Sequence, residues 1–245
     1  MNKRLVVIIP VYQNRLNDSE TISVRICQKK MSKYDIYFIA PFGLNMEAYR
    51  EFASIKVKRF PDHYFKGVDT YNKLMMNPKF YVEFSEYEYM LIAQTDTLIL
   101  QDGAEIEKFM DAGYDYWGAP WEECQHYWFY TTKRFLYEKF KLGKKFLLRV
   151  GNGGFSLRHI KKTIHLLNEK KVWKILWRGN EDFFFSCYGL DNKSGYRVAP
   201  LNLARKFALE TDIKKNLENG EQPYAVHKWQ EEYPKFEDIS SYITG

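Results

Sequence analysis

Apolar residues fall in short blocks along the chain, separated by longer stretches with a helical period. Arg4–Ile9 is almost fully apolar and β-branched, as suits a strand covered on both faces of a parallel sheet. Pro10 cannot donate to a ladder and closes the run. Asp18 and Ser19 are placed to cap a helix over Glu20–Lys30, where Ile22, Ile26 and Lys29 share a face beside Val24 and Cys27. Tyr34–Ala40 predicts a second strand stopped by Pro41 and Gly43, Met46–Ala53 a short helix, and Ile55–Phe60 a third strand. Such alternation implies βαβ units with right-handed crossovers. Val68–Met76 reads as helix interrupted by Asn77-Pro78, with a further helical turn over Phe80–Phe84. Tyr89–Ala93 is another apolar strand, running into Gln94-Thr95-Asp96-Thr97 and then Leu98–Leu100. Gly103–Met110 is helical, and Tyr114–Trp117 is a short strand closed by Gly118 and Pro120.

Beyond Pro120 the pattern changes. Trp121–Tyr130 is dense in aromatics without a clean period, and Lys133–Arg149 is strongly basic, with Glu138 as its one acid. A small strand at Phe155–Leu157 and a helix near His159–Lys170 come next. Gly179-Asn180-Glu181-Asp182 opens a helix through Phe183–Cys187, and the C-terminal stretch reads as irregular chain wrapping the sheet. With neither internal repeat nor low-complexity linker, residues 1–245 are expected to form one domain.

Composition narrows the class. The chain has 245 residues, 45% hydrophobic and 18% aromatic, with a formal net charge of +6. Aromatics pack cores and also stack on nucleobases and sugar rings. The positive excess fits an anionic partner, and equally an ordinary soluble surface. Cys27, Cys124 and Cys187 form no CxxC pair, which argues against a zinc site, and their odd number argues against a disulfide framework. A reducing, cytoplasmic setting is expected. The apolar run of MNKRLVVIIPVY is too short for a signal peptide and is broken by Pro10 and Gln13-Asn14. No stretch approaches the roughly 18 apolar residues of a membrane span.

Five short segments carry candidate chemistry. Ligands of open α/β sheets bind beyond the carboxyl ends of the strands, so Pro10-Val11-Tyr12 is well placed for a nucleotide, with Tyr12 able to stack on its base. Gln94-Thr95-Asp96-Thr97 delivers a carboxylate to such an edge. Asp96 there is a natural ligand for Mg²⁺ or Mn²⁺ beside a diphosphate, and Thr95 can bond a phosphate; a turn-capping Asp gives the same pattern. Gly151-Asn152-Gly153-Gly154 permits close approach of backbone to a sugar ring, or is a structural turn. It is neither a Walker loop, lacking Lys-Ser/Thr, nor a dinucleotide fingerprint, lying outside the first βα unit. Glu181 and Asp182 sit at a helix start, where the dipole stabilises acids. Activation of an acceptor hydroxyl needs such a carboxylate, and Phe183–Phe185 would raise its pKa. His227 suits a metal ligand, a phosphate donor or a structural role, and Lys228 beside it suits a departing diphosphate.

In this order, IIPVY, YNKLMMNPKFYVEFSEYEYMLIAQTDTLIL, YDYWGAPW, VGNGGFSLR, GNEDFFFS and YAVHKW resemble the GT-A glycosyltransferases. More closely, the set is similar to a bacterial family of predicted glycosyltransferases known as a domain of unknown function. The resemblance spans nearly the whole chain. It implies an α/β fold, a GT-A-like Rossmann-type mixed sheet flanked by helices, with a nucleotide-binding half over 1–120 and an acceptor-binding, catalytic half over 121–245. It implies Asp182 as the base of an inverting enzyme, with Glu181 as alternate or acceptor binder. Pro10, Val11, Tyr12, Thr95 and Asp96 would hold the nucleotide, and Asn152, Gly153, Gly154 and Trp121 the donor and acceptor sugars. Asp96 and His227 would bind a divalent cation, Mn²⁺ or Mg²⁺, while Lys228 and Arg205 assist the phosphates. The family's metal motif is Asp-x-Asp, and here one of its acids is missing. The implied activity is sugar transfer from a nucleotide-sugar donor to a glycan or lipid-linked glycan acceptor, in synthesis of a surface polysaccharide such as lipopolysaccharide or capsule.

The basic, aromatic stretch Tyr127–Arg149 predicts peripheral contact with an anionic membrane at its inner face, or else a solvated helix with Phe135, Lys139, Leu142 and Phe146 on one side. The missing acid leaves room for a non-catalytic nucleotide-sugar or glycan binder of the same fold. Nucleic acid is not an expected partner, because no recognised motif accompanies the charge. A nucleotidyltransferase would carry a Gly-rich, basic loop after the first strand, which Tyr12-Gln13-Asn14 is not.

Overall fold

The apolar run near the N-terminus becomes the central strand β1 (Lys3–Pro10). It pairs in parallel with β2 (Asp35–Pro41) on one side, and β2 pairs in parallel with β3 (Lys56–Phe60). On the other side β1 pairs in parallel with β4 (Tyr87–Ala93). After the short β5 (Thr97–Ile99) come β6 (Tyr116–Phe129) and β7 (Lys144–His159). Strand β7 runs antiparallel to both β4 and β6 and closes the sheet order β3-β2-β1-β4-β7-β6. The computed structural model describes residues 3–129, 144–177, 179–189 and 194–244.

Alternation along the strands builds two cores. Leu5, Val7 and Ile9 face one side with Tyr89, Leu91 and Ala93, while Val6 and Ile8 face the other with Met90 and Ile92. This is the period-2 rule of a strand buried on both faces. The helix Asp18–Lys30 covers the first side. Its cap is Asn17 rather than Asp18 or Ser19: Asn17 accepts from Glu20 N, and Glu20 reaches back to Asn17 N, a reciprocal capping box. The helices Val68–Met75, Pro78–Val82, Ile160–Glu169 and Glu181–Gly189 cover the second side. Asn77-Pro78 both ends one helix and starts the next, since Asn77 accepts from Lys79 N and Pro78 sits at the first helical position.

Two expectations are corrected. The short strands at Tyr114–Trp117 and Phe155–Leu157 are parts of the much longer β6 and β7. Register shifts between Gly118 and Gln125 break the alternation that would have revealed them. Nor is the C-terminal stretch irregular. It forms the helix Leu201–Phe207, β8 (Ala208–Leu209), the helix Ile213–Glu218, β9 (Ala225–His227) and the helix Phe236–Ser240. Strands of two and three residues carry no readable period, yet β5, β9 and β8 pair into a second sheet. Leu98, Leu209, Val226 and Trp229 form its core. Cys27 and Cys187 are both buried. Among the described residues no helix is long and apolar enough to cross a membrane.

Candidate active site at the carboxyl edge of the sheet

The chain reverses its strand order between β1 and β4, and a crevice opens outside their carboxyl ends, as expected at such a switch point. Parallel β1 and β4 end there at Pro10 and Ala93. Because β7 is antiparallel, with Ala93 opposite Phe155, its preceding residues Asn152–Gly154 reach the same edge. Gln94 N donates to the Gly154 carbonyl at 2.9 Å. The small sheet adds the next group. Thr97 faces His227, Lys228 N donates to the Asp96 carbonyl at 2.9 Å, and the parallel pair Leu209–Val226 brings Glu210 alongside. The helix Glu181–Gly189 points its first turn at the same space. The result is a cavity of about 470 Å³.

His227 is 3% exposed and lies between two carboxylates. Its Nε2 is 3.2 Å from Gln94 Oε1 and 3.1 Å from Asp96 Oδ1, and its Nδ1 is 3.3 Å from Glu210 Oε1. Burial alone would lower the imidazole pKa, but the two carboxylates outweigh it and lift it to about 9. Glu210 is squeezed the other way. Burial pushes its pKa up, and His227 with Lys228 more than reverse this, so it sits below the usual carboxylate range. Lys228 Nζ is 2.6 Å from Glu210 Oε1. Lys228 is a non-glycine residue at φ 56°, ψ 34°, a left-handed conformation that costs about 1–3 kcal/mol and gathers at functional sites. Gly154 explains why the ring can sit here. A Cβ at that position would overlap His227 Cε1, Nε2 and Nδ1, so the imidazole lies directly against backbone.

The donors around His227 fit a hard divalent cation. Asp96 Oδ1 is buried and, its 3.1 Å ion-pair contact with His227 Nε2 apart, has no hydrogen-bond partner among the described residues. Beside it lie His227 Nε2 and the Gln94 amide oxygen. The carboxylate and amide oxygens suit Mg²⁺ or Mn²⁺, and the imidazole adds a nitrogen donor beside them. Among the described residues no three His, Cys, Asp or Glu side chains form a metal cluster, and the third donor here is the amide Gln94. Charge points the same way. The walls carry Glu20, Asp96, Glu181, Asp182 and Glu210 against His227 and Lys228, so any anion bound in the cavity requires countercharge.

The paired acids behave differently from each other. Glu181 Oε1 accepts from Arg158 Nη2 at 2.9 Å, and the Arg158 side chain is fully buried. Arg158 also donates to the Tyr81 hydroxyl and to Ser156 Oγ, and stacks between Tyr116 and Phe185. Gly153 leaves room for the Glu181 carboxylate, which a Cβ there would strike. Among the described residues Asp182 has no such cation paired with it. Burial first, and Glu181 second, drive its pKa well above the usual carboxylate range. Asp182 Oδ1 accepts from Phe183 N at 2.7 Å.

Of the remaining expected site residues, Pro10, Tyr12, Thr95, Asn152, Gly153, Gly154 and Lys228 line the cavity, with Tyr12 59% exposed. Thr95 Oγ1 donates to Glu20 Oε1 at 2.8 Å. Val11 does not reach it, its side chain lying in the core and its N–H bonding Ile39 O at 2.9 Å. Trp121 stands outside the lining, edge-on to Phe183 at 5.0 Å. Arg205 is held away by Glu221 at 2.8 Å and Asn216 at 2.9 Å. Missed from the sequence were Gln94, Glu210, Asn72 and Asn180, the last two joined by a 3.0 Å hydrogen bond. The only clue to Glu210 was an acid directly after the apolar Phe207–Leu209. The membrane-contact stretch Tyr127–Arg149, its strand backbone and the exposed Arg149 apart, lies outside the described residues.

Solved glycosyltransferases share this architecture. The chain matches galactosyltransferase LgtC in complex with donor and acceptor sugar analogs at a TM-score of 0.54 and 14% identity, over 98% of this chain and 96% of that one. It matches the apo form of mouse xyloside xylosyltransferase 1 at 0.53 and 13%, over 93% and 97%. A glycosyltransferase involved in the glycosylation of the major capsid of PBCV-1 matches at 0.51 and 11%, over 91% and 92%. The fold is therefore that of the GT-A-type glycosyltransferases. Residues 54–227 match the family described as protein of unknown function, DUF5672, and the chain belongs to that family. No curated protein matches the sequence.

Proposed function

We propose that the protein is a glycosyltransferase that moves a sugar from a nucleotide-sugar donor to a hydroxyl of a glycan or lipid-linked glycan. The observation that carries this reading is one cavity with two chemically distinct walls. Asp96, His227 and Lys228 form a wall for a diphosphate, and the proton-hungry Asp182 stands on another. The exposed Tyr12 ring offers the base a stacking surface, and Asn152–Gly154 line the space between. Asp96 and His227, with the Gln94 oxygen, would hold a divalent cation, which when bound neutralises the diphosphate and eases its departure. Asp182 takes the proton of the acceptor hydroxyl. The freed oxygen forms a bond to the anomeric carbon from the face opposite the diphosphate, whose bond to that carbon breaks, so the anomeric configuration inverts. Lys228 meets the charge left on the diphosphate. Glu181, locked to Arg158, stands beside Asp182 and strengthens its hold on the proton.

Thermal shift with UDP, GDP, dTDP and CMP, with and without Mn²⁺, identifies the donor class, because a ligand at 100 times its Kd adds about 2.7 kcal/mol. Turnover of the matching sugar nucleotide then tests the chemistry. Loss of a general base costs roughly 10²–10⁴-fold, so Asp182→Asn is expected to lose that much while still binding nucleotide. Turnover near wild type in Asp182→Asn removes the base assignment, and a product of retained configuration removes inversion. The acid missing from the Asp-x-Asp pattern around Asp96 favours a second reading as a non-catalytic binder. That reading requires selective nucleotide binding without sugar-nucleotide consumption.

A further inference from the structure

Glu210 belongs to none of the motifs that mark the fold family, yet it touches three residues of the cavity at once. It comes directly after β8, a strand of two residues whose parallel pairing with β9 puts it next to the end of that strand. Its side chain is 8% exposed. One oxygen, Oε1, lies 3.3 Å from His227 Nδ1 and 2.6 Å from Lys228 Nζ. The other accepts from Asn152 Nδ2. Apart from this ion-pair contact, the buried His227 Nδ1 has no hydrogen-bond partner among the described residues.

This fixes which way the ring is used. With Nδ1 turned to a carboxylate, Nε2 is the atom left to face Asp96 Oδ1 and Gln94 Oε1. A carboxylate behind a ligating imidazole sets its tautomer and orientation, and makes the ring a better donor. The same oxygen holds the ammonium of Lys228, a residue in the left-handed region of the backbone map. Through Asn152 the same carboxylate reaches the Gly153-Gly154 backbone, since Asn152 Oδ1 accepts from Gly154 N at 2.9 Å.

We propose that Glu210 is the positioning residue of the site, holding His227 with Nε2 free for a divalent cation and tying that ring to Lys228 and Asn152. The inference rests on the cation-binding reading of Asp96 and His227 given above. Its test is Mn²⁺ affinity by electron paramagnetic resonance, on wild type, Glu210→Ala and Glu210→Gln, all checked for folding by circular dichroism. Removal of such a supporting carboxylate typically weakens metal binding by about 10–100-fold. That loss is expected for E210A, and a smaller one for E210Q, which keeps an acceptor oxygen but no charge. A second readout needs no turnover. In the metal-free protein, at a pH where the ring is neutral, ¹⁵N shifts of His227 should show the proton on Nδ1 in wild type, and in E210A that tautomer preference should be lost. If E210A is unfolded, E210Q carries both readouts. Wild-type protein that binds no Mn²⁺ overturns the cation reading and this inference with it. Wild type that binds Mn²⁺, with variants within twofold of it and the same tautomer, overturns the role of Glu210 alone.

Discussion

Replacing Arg158 by Met is expected to be among the most damaging single changes outside the cavity lining. Arg158 is fully buried, and its guanidinium serves Glu181 at 2.9 Å, the Tyr81 hydroxyl at 2.8 Å and Ser156 Oγ at 3.1 Å. Methionine fills part of the volume but leaves the Glu181 carboxylate, 7% exposed, without its cation. Breaking a buried pair in this way costs about 3–5 kcal/mol. At roughly 2–4 °C per kcal/mol for a domain of this size, the melting temperature should fall by roughly 6–20 °C. The assay is urea or thermal unfolding of wild type, R158M, E181Q and the double variant. Because the cost lies in the orphaned charge, R158M/E181Q should recover most of the loss, replacement of a whole buried pair often being neutral. A loss below about 1 kcal/mol for R158M, or a double variant as unstable as the single, would refute the argument that Arg158 exists to neutralise Glu181.

Other outcomes arise from the same geometry. Gly154→Ala drives a methyl into the His227 ring, and overpacking of this kind costs roughly 1–3 kcal/mol; both a lower melting temperature and weaker Mn²⁺ binding should be measured, and wild-type values for both would refute the contact. Asp182 binds its proton more tightly folded than unfolded, so its contribution to stability is full below the unfolded carboxylate range and is lost as pH rises through the folded value. Asp182→Asn should therefore be more stable than wild type at pH 8, with the gap closing towards pH 4, and denaturant titrations showing a gap that widens on acidification would contradict the sign. Turnover of wild type should rise with pH along a limb lying above the usual carboxylate range, and Asp182→Asn should lack that limb. Tyr12→Ala should weaken nucleotide binding by roughly 5–150-fold, since base–aromatic stacking contributes about 1–3 kcal/mol. Its melting temperature should hold, because the ring is 59% exposed, and calorimetric titration showing unchanged nucleotide affinity would move the base elsewhere.

The first half of the fold is legible because its strands are long and its cores are made locally. Five or more apolar residues in a row, as at Leu5–Ile9 or Tyr89–Ala93, admit few structures other than a strand buried on both faces. The residues just past those strands are legible as well, since a parallel strand delivers the next few residues to the carboxyl edge. Asp96 and Tyr12 are both found by that rule. Misreadings cluster where this logic has no purchase. Val11 reads as a nucleotide contact because it comes after Pro10, but alternation turns its side chain into the core. The resemblance implies Arg205 as a phosphate ligand, and a carboxylate 2.8 Å away at Glu221 holds it elsewhere.

By itself, then, the sequence determined the parallel sheet, its edge and the identity of most groups along that edge, because these depend on periodicity within one segment at a time. Tertiary structure alone decided how those groups are used. Whether Glu181 or Asp182 is free to take a proton depends on Arg158, contributed by the far end of β7. That Gly153 and Gly154 make room for Glu181 and His227 is a matter of contact between distant segments. Glu210 and His227 meet Asp96 only because strands of two and three residues pair into a second sheet. Pairings so short leave no period in the sequence, and their specificity comes from the core they close.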